Sequence, residues 1–311
     1  MAYQNDRLRP GDLVQVKSPK EILQTLDSDG ALDRLPFMPE MIGFCGKQFR
    51  VAKRVLKTCA YGTNSTMLAF NTDDVVVLDG VRCSGDDHDD CPKHCLIFWR
   101  EAWLKRVEQS DLDSGPEPRD SAKLWARLKT KVGPAKYFCQ ASELLNTAHV
   151  LSRKERFLKI VDDVRAGNCT ALQMFQWISI WIFWKIRQLF LGQFGKGKAK
   201  STISLALNLQ PDEVVEVKSM ENITATLNEM ARNRGLWFSP DQRLLCGKRR
   251  RVARRIDKLI VDGTGEMREL RNTVFLEGSM CSCAHVAFGG CPRNEFVYWR
   301  EDWLRRPDES N

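Results

Sequence analysis

Cys83, Cys91 and Cys95 lie close together on a Gly-, Asp- and His-rich stretch, and Cys59 precedes them. Four thiolates suit Zn²⁺, a borderline-soft ion that structural sites hold tetrahedrally with Zn–S distances of about 2.3 Å. The same four sulfurs could instead carry an iron–sulfur cluster. His88 and His94 sit inside the stretch, and His88 is the alternate ligand. Ser84 to Asp90 is too polar to pack as a core segment, so a bound metal is one source of order for it. The competing reading leaves Cys59 and Cys95 as buried thiols beside strands and the acidic loop in solvent.

The elements that position these cysteines come as a duplication. Arg9-Pro10-Gly11-Asp12-Leu13-Val14 returns near Gln210-Pro211-Asp212-Glu213-Val214-Val215, and Cys45-Gly46-Lys47 returns as Cys246-Gly247-Lys248. Phe98-Trp99-Arg100-Glu101-Ala102-Trp103-Leu104 closes the first copy and Tyr298-Trp299-Arg300-Glu301-Asp302-Trp303-Leu304 the second. The repeats span about 9–107 and 208–307 and bracket an insert at about 108–207. Each opens with turn residues and a short alternating strand, offers a brief helix, and continues with further short strands such as Val75 to Leu78. That pattern predicts a mixed, mainly β protein: two small SH3-like β-barrels around a helical insert. The Trp-Arg-Glu-x-Trp-Leu runs read as short helices that seal the barrels.

Repeat two does not keep the thiol set. Cys91 has its counterpart in Cys291 and Cys83 in Cys281 or Cys283, while Cys95 becomes Glu295 and Cys59 becomes Ile260. Cys281, Cys283, His285 and Cys291 form a second, weaker candidate site, cramped for one tetrahedral ion.

The insert begins with linker composition and carries an aromatic helix at 171–194, in which Trp177, Trp181 and Trp184 share one face. Its dense apolar stretch is far shorter than the ~20 residues of a membrane span. An all-round apolar helix followed by Lys196, Lys198 and Lys200 fits three roles: core between the barrels, a surface for a protein partner or self-association, or peripheral membrane contact. Cys139 is the one candidate nucleophile outside the clusters, and a nucleophile needs a base that sequence alone does not supply. Lys248, Arg249, Arg250, Arg251, Arg254 and Arg255 form a basic run on a predicted strand that could meet nucleic acid or another polyanion. Solvated structural charge is the competing reading.

At 311 residues and 43% hydrophobic content, the chain has material for about two domains and is no disordered tail. Lys+Arg 48 against Asp+Glu 40 gives a net charge of +8, below the density of a dedicated nucleic-acid binder. The first residues carry no secretory signal pattern, which predicts a cytoplasmic, reducing location, with membrane-peripheral placement left open. Eleven cysteines, an odd number, then read as ligands or buried thiols rather than a disulfide framework. No paired catalytic constellation, phosphate-cradling glycine loop or nucleotide fingerprint is present, so the reading leans away from an enzyme.

The run from Leu78 to Cys83, then His88, Cys91 and Cys95 to Leu104, resembles a group of uncharacterised bacterial proteins with this Cys-rich strand-loop-strand ending. Leu35 to Met41, Lys57-Thr58-Cys59 and Tyr137 to Leu144 resemble the same group. The resemblance covers most of the chain and implies no activity. Repeat two departs from it at Cys281-Ser282-Cys283. The expectation is a non-catalytic, metal-associated binding or scaffold protein. A polyanion-binding protein and an iron–sulfur or thiol-dependent redox protein are the alternatives.

Overall fold

The computed structural model describes residues 7–60, 67–107, 118–199, 206–282, 284–285 and 293–307. Two five-stranded antiparallel sheets, separated in the chain by a helical middle region, carry a mixed α/β architecture. The first contains β1 (Leu13–Val16), β2 (Gln48–Arg54), β3 (Val75–Leu78), β4 (Trp99–Arg100) and β5 (Leu104–Arg106), in spatial order β4-β3-β2-β1-β5. The second contains β6 (Val214–Val217), β7 (Arg249–Arg255), β8 (Thr273–Met280), β9 (Phe296–Arg300) and β10 (Leu304–Arg305), in order β9-β8-β7-β6-β10. The strand order is therefore the same in both copies.

Register repeats as well. Leu13 faces Arg50 and Val214 faces Arg251, while the ladder from β2 to β3 is irregular between Val51 and Lys53, as that from β7 to β8 is between Val252 and Arg254. An extra residue at the same point in both sheets bends each strand alike. The turn before β1 uses Gly11 at φ +91°, and its counterpart Asp212 holds φ +70°, which an L-residue adopts only at a cost. Both turns are closed by the same bond, Gly11 N to Val51 O and Asp212 N to Val252 O, each 2.8 Å.

The sealing motif explains the two buried tryptophans of each copy. Glu101–Trp103 and Glu301–Trp303 are single 3₁₀ turns that drop Trp103 and Trp303 into the cores. Phe37 meets Trp103 edge to face at 5.2 Å, and Phe238 meets Trp303 at 5.2 Å, a favoured aromatic geometry. The Trp103 indole N–H donates to Thr25 at 3.0 Å and that of Trp303 to Thr226 at 3.1 Å.

The chain divides into two compact units. The first comprises Met1–Phe175, Ile260–Arg268 and Cys291–Arg293, and the second Gln176–Leu259, Glu269–Gly290 and Asn294–Asn311. The first unit adds a three-stranded sheet of Thr58–Cys59, Met67–Phe70 and Ala148–Val150, and helix α1 (Arg153–Arg165), whose Ser152 and Glu155 make a capping box. It also takes in the 260–268 segment: Gly263 N donates to Ala141 O at 2.9 Å and Tyr137 N to Gly265 O at 2.8 Å. Helix α2 (Ala171–Leu191) follows α1 in the chain. Among the described residues no helix is long and apolar enough to cross a membrane.

Candidate functional site

The loop between β3 and β4 is ordered mainly by its own backbone. Cys83 N donates to Cys95 O at 2.9 Å, Arg82 pairs with Leu96, and the Arg82 guanidinium donates to His94 O at 3.0 Å. At the tip, Gly85 O accepts from His88 N at 3.0 Å and from Cys91 N at 3.1 Å. Gly85 has φ +84°, and a Cβ there would stand 2.1 Å from Cys91 O. Both the backbone region and the space admit only glycine. Gly85→Ala is therefore expected to lower stability by about 2 kcal/mol or more and to displace Cys91, which thermal unfolding and thiol-accessibility measurements would register.

His88 clasps this loop to a second segment. Its Nδ1 lies 2.6 Å from a Glu40 carboxylate oxygen and its Nε2 3.0 Å from Phe138 O. Because both neighbours accept, both nitrogens must donate, which makes the ring an imidazolium with no lone pair for a metal in this arrangement. Burial works against that charge, but Glu40 and the Phe138 carbonyl outweigh it and raise the pKa. Lys131 reinforces the clasp at 3.1 Å from Asp89, to which the Tyr137 hydroxyl also donates.

The clasp brings Cys139 to the loop. Gln140, its neighbour, is buried and works like a strand edge: Phe98 N donates to its Oε1 at 2.8 Å, and its Nε2 donates to Phe98 O at 2.8 Å and Pro36 O at 3.0 Å. Cys139 itself is bracketed by Ser142, whose Oγ accepts from Cys139 N and donates to Cys139 O, both at 2.9 Å.

Cys83, Cys91, Cys95 and Cys139 line one cavity of about 30 Å³. That space suits one ion or a water or two. Burial, then Glu40 and the neighbouring sulfurs of Cys95 and Cys139, pushes the Cys83 thiol well above its ordinary range. Burial pushes Cys139 up to about 11, with Cys91 adding to the shift and Lys93 opposing it. These two thiols are thus protonated at neutral pH, and forming their thiolates calls for added positive charge.

Two cations stand at the cavity wall. Lys93 and Arg293 both line it and both bind Asp262, Arg293 Nη1 at 2.7 Å and Lys93 through a short contact. The Lys93 and Arg293 side chains are buried, and Asp262, which both of them bind, is wholly so. Four thiolates around a divalent ion carry net negative charge, so the sign of the wall is complementary.

Of the four thiols read from the sequence, three come together here and Cys59 does not line the cavity. Cys59 lies buried on its short strand, and its carbonyl accepts from Arg293. Cys139 lines the cavity with the other three. Among the described residues, no group of three or more His, Cys, Asp or Glu side chains is gathered tightly enough to hold a metal as it stands. As a nucleophile, Cys139 would need a base. His149, ten residues on, is exposed and bonded to Asn71 at 3.0 Å and Glu155 at 3.2 Å, whereas His88 and His94 line the same cavity as Cys139, His88 with both ring nitrogens engaged by Glu40 and Phe138 O.

The second candidate site is described only in part, since Cys283 and Cys291 lie outside the described residues. Cys281 N donates to Glu295 O at 2.8 Å, which repeats the Cys83–Cys95 backbone bond with glutamate in place of the second cysteine. His285 lies 3.4 Å from Asp241, the counterpart of the Glu40–His88 pair. Burial opposes the Asp241 charge, but His285 and the Ser282 N–H and hydroxyl hold its pKa down.

Apart from Lys248, which precedes it, the basic run lies on β7, where much of its charge is used inside the second unit. Arg249 reaches Glu216 at 3.8 Å and Arg251 reaches Glu277 at 3.9 Å. Arg255 binds Glu301 at 3.1 Å, Asp257 at 3.2 Å and Leu209 O at 2.8 Å, and Arg250 donates to Arg249 O at 2.8 Å. Lys248 is exposed and Arg254 half-buried.

Compared with protein-family models, curated proteins and solved structures, the chain matches none.

Proposed function

We propose that this chain is a non-catalytic, metal-associated binding or scaffold protein, and that Cys83, Cys91, Cys95 and Cys139 hold a structural Zn²⁺. The observation that carries the reading is the convergence of four thiols, from two segments far apart in sequence, on one small cavity. Complementary charge at Lys93 and Arg293 supports it, and so does a volume suited to one ion rather than a cluster. The ion would cross-link the β3–β4 loop to the Cys139 segment, with the thiols drawing inward as they lose their protons. We include in the proposal that each repeat is an SH3-like barrel, the strand order being identical in the two copies.

Elemental analysis and a visible spectrum on anaerobically purified protein test the reading. The expected result is one colourless zinc per chain, lost in Cys83→Ser/Cys91→Ser. Iron and sulfide with a brown chromophore would replace it with the redox alternative, and a metal-free, fully folded chain would overturn it.

A further inference from the structure

Helix α2 leaves a large apolar face uncovered. Ile182, Phe183, Ile186, Leu189 and Phe190 fall at i, i+1, i+4, i+7 and i+8, on one side of the helix, and all are exposed. Leu189 and Phe190 are each 82% exposed and Leu191 71%. Trp177, Trp181 and Trp184 face elsewhere and are half-buried, and Trp184 packs against Phe194 at 5.1 Å.

Charge along this stretch of the chain has one sign. Between Asp163 and Asp212 the sequence has no acidic residue, while Lys185, Arg187, Lys196 and Lys198 all fall there. Lys196 and Lys198 are presented by design of the backbone. Gly197 N donates to Asn228 O at 3.0 Å and Ala199 N to Leu227 O at 3.1 Å, so the segment lies against the unit with Gly197 inward and both lysines exposed. A Cβ on Gly197 would stand 2.0 Å from Leu227 O, so only glycine allows that approach. Beside the segment lies a cleft of about 460 Å³ lined by Trp184, Arg187, Phe194, Lys196, Met220 and Arg243. The Arg187 guanidinium lies 5.5 Å from the Trp184 ring centre and 5.4 Å from that of Phe194, within cation–π range.

We propose that the outward face of α2 and this cleft dock on an anionic phospholipid surface, the helix lying in the interface and the cleft taking a lipid phosphate. Apolar side chains would enter the acyl boundary while Lys196, Lys198, Arg187 and Arg243 meet negative headgroups. A second copy of the chain fits less well, because pairing α2 with itself would bring like charges together without a counter-charge. This inference is independent of the thiol cavity.

Flotation of the full chain with phospholipid vesicles tests it. The chain should bind phosphatidylcholine vesicles containing roughly one-third phosphatidylglycerol, with binding weakened by salt, and should not bind phosphatidylcholine alone. Leu189→Ser/Phe190→Ser and Lys196→Glu/Lys198→Glu should each weaken binding at least about tenfold, with circular dichroism and melting unchanged because all four side chains are exposed. Binding indifferent to both variants or to lipid charge would overturn the proposal. So would a chain that ignores vesicles, whether monomeric or a dimer that Leu189→Ser/Phe190→Ser dissociates.

Discussion

Asp262→Asn is expected to cost about 3–5 kcal/mol of stability near neutral pH, the range for breaking a buried ion pair from one side. The wild-type carboxylate is wholly buried and holds both Lys93 and Arg293. Asparagine fills the same space but removes the negative charge that both buried cations share. Burial alone would raise the Asp262 pKa, yet Arg293 and Lys93 reverse that and hold it below the usual carboxylate range. A depressed folded-state pKa sets the sign of the pH dependence. The stabilisation is fully present above the unfolded value of about 3.9 and is lost as pH falls from there towards the folded value. Denaturant unfolding of wild type and variant should therefore show a wide gap at pH 7 that narrows in strong acid. A gap equal at all pH values would show that the charge of Asp262 is not what stabilises the trio.

Glu301→Leu should have an effect of the same order, about 3–5 kcal/mol, in the second unit. Glu301 is fully buried at the head of its 3₁₀ turn and accepts from three consecutive amides, Leu207 at 2.6 Å, Asn208 at 3.0 Å and Leu209 at 3.1 Å, as well as from Arg255. Leucine leaves the guanidinium and the amides without this acceptor. Glu301→Gln keeps an oxygen for the amides and removes only the charge, so its loss should be smaller. Repeat one builds the same device from Glu101, Arg54 and Leu8 N. Comparable stabilities for Glu301→Leu and Glu301→Gln would mean that the amide bonds contribute little.

Much of this fold was legible because duplication is a statement about position. An offset of about 200 residues that aligned Trp103 with Trp303 also aligns their threonine partners, the strand orders and the bulges. The carboxylate–histidine pair was duplicated too, as Glu40–His88 and Asp241–His285, but with different residue types and no spacing rule to mark it. The thiol site was legible only in its local part. Cys83, Cys91 and Cys95 share one loop, whereas Cys139 arrives from a different segment through Gln140 and the His88 clasp, contacts that no spacing encodes. Cys59, nearer in sequence, sits on a strand that does not line the cavity. Lys93 and Arg293 carried no signal in the sequence, because Asp262, which both of them bind, comes from a loop aligned with repeat two yet packed in the first unit. The apolarity of α2 was plain, but a helix apolar nearly all round does not announce which face it leaves uncovered.

Metal content should be measured on Cys139→Ser and Cys59→Ser purified side by side with the wild-type chain. Cys139→Ser is expected to lose its zinc while Cys59→Ser keeps about one ion per chain. Zinc retained in Cys139→Ser and lost in Cys59→Ser would contradict it, and would return the fourth ligand to the strand at Thr58–Cys59.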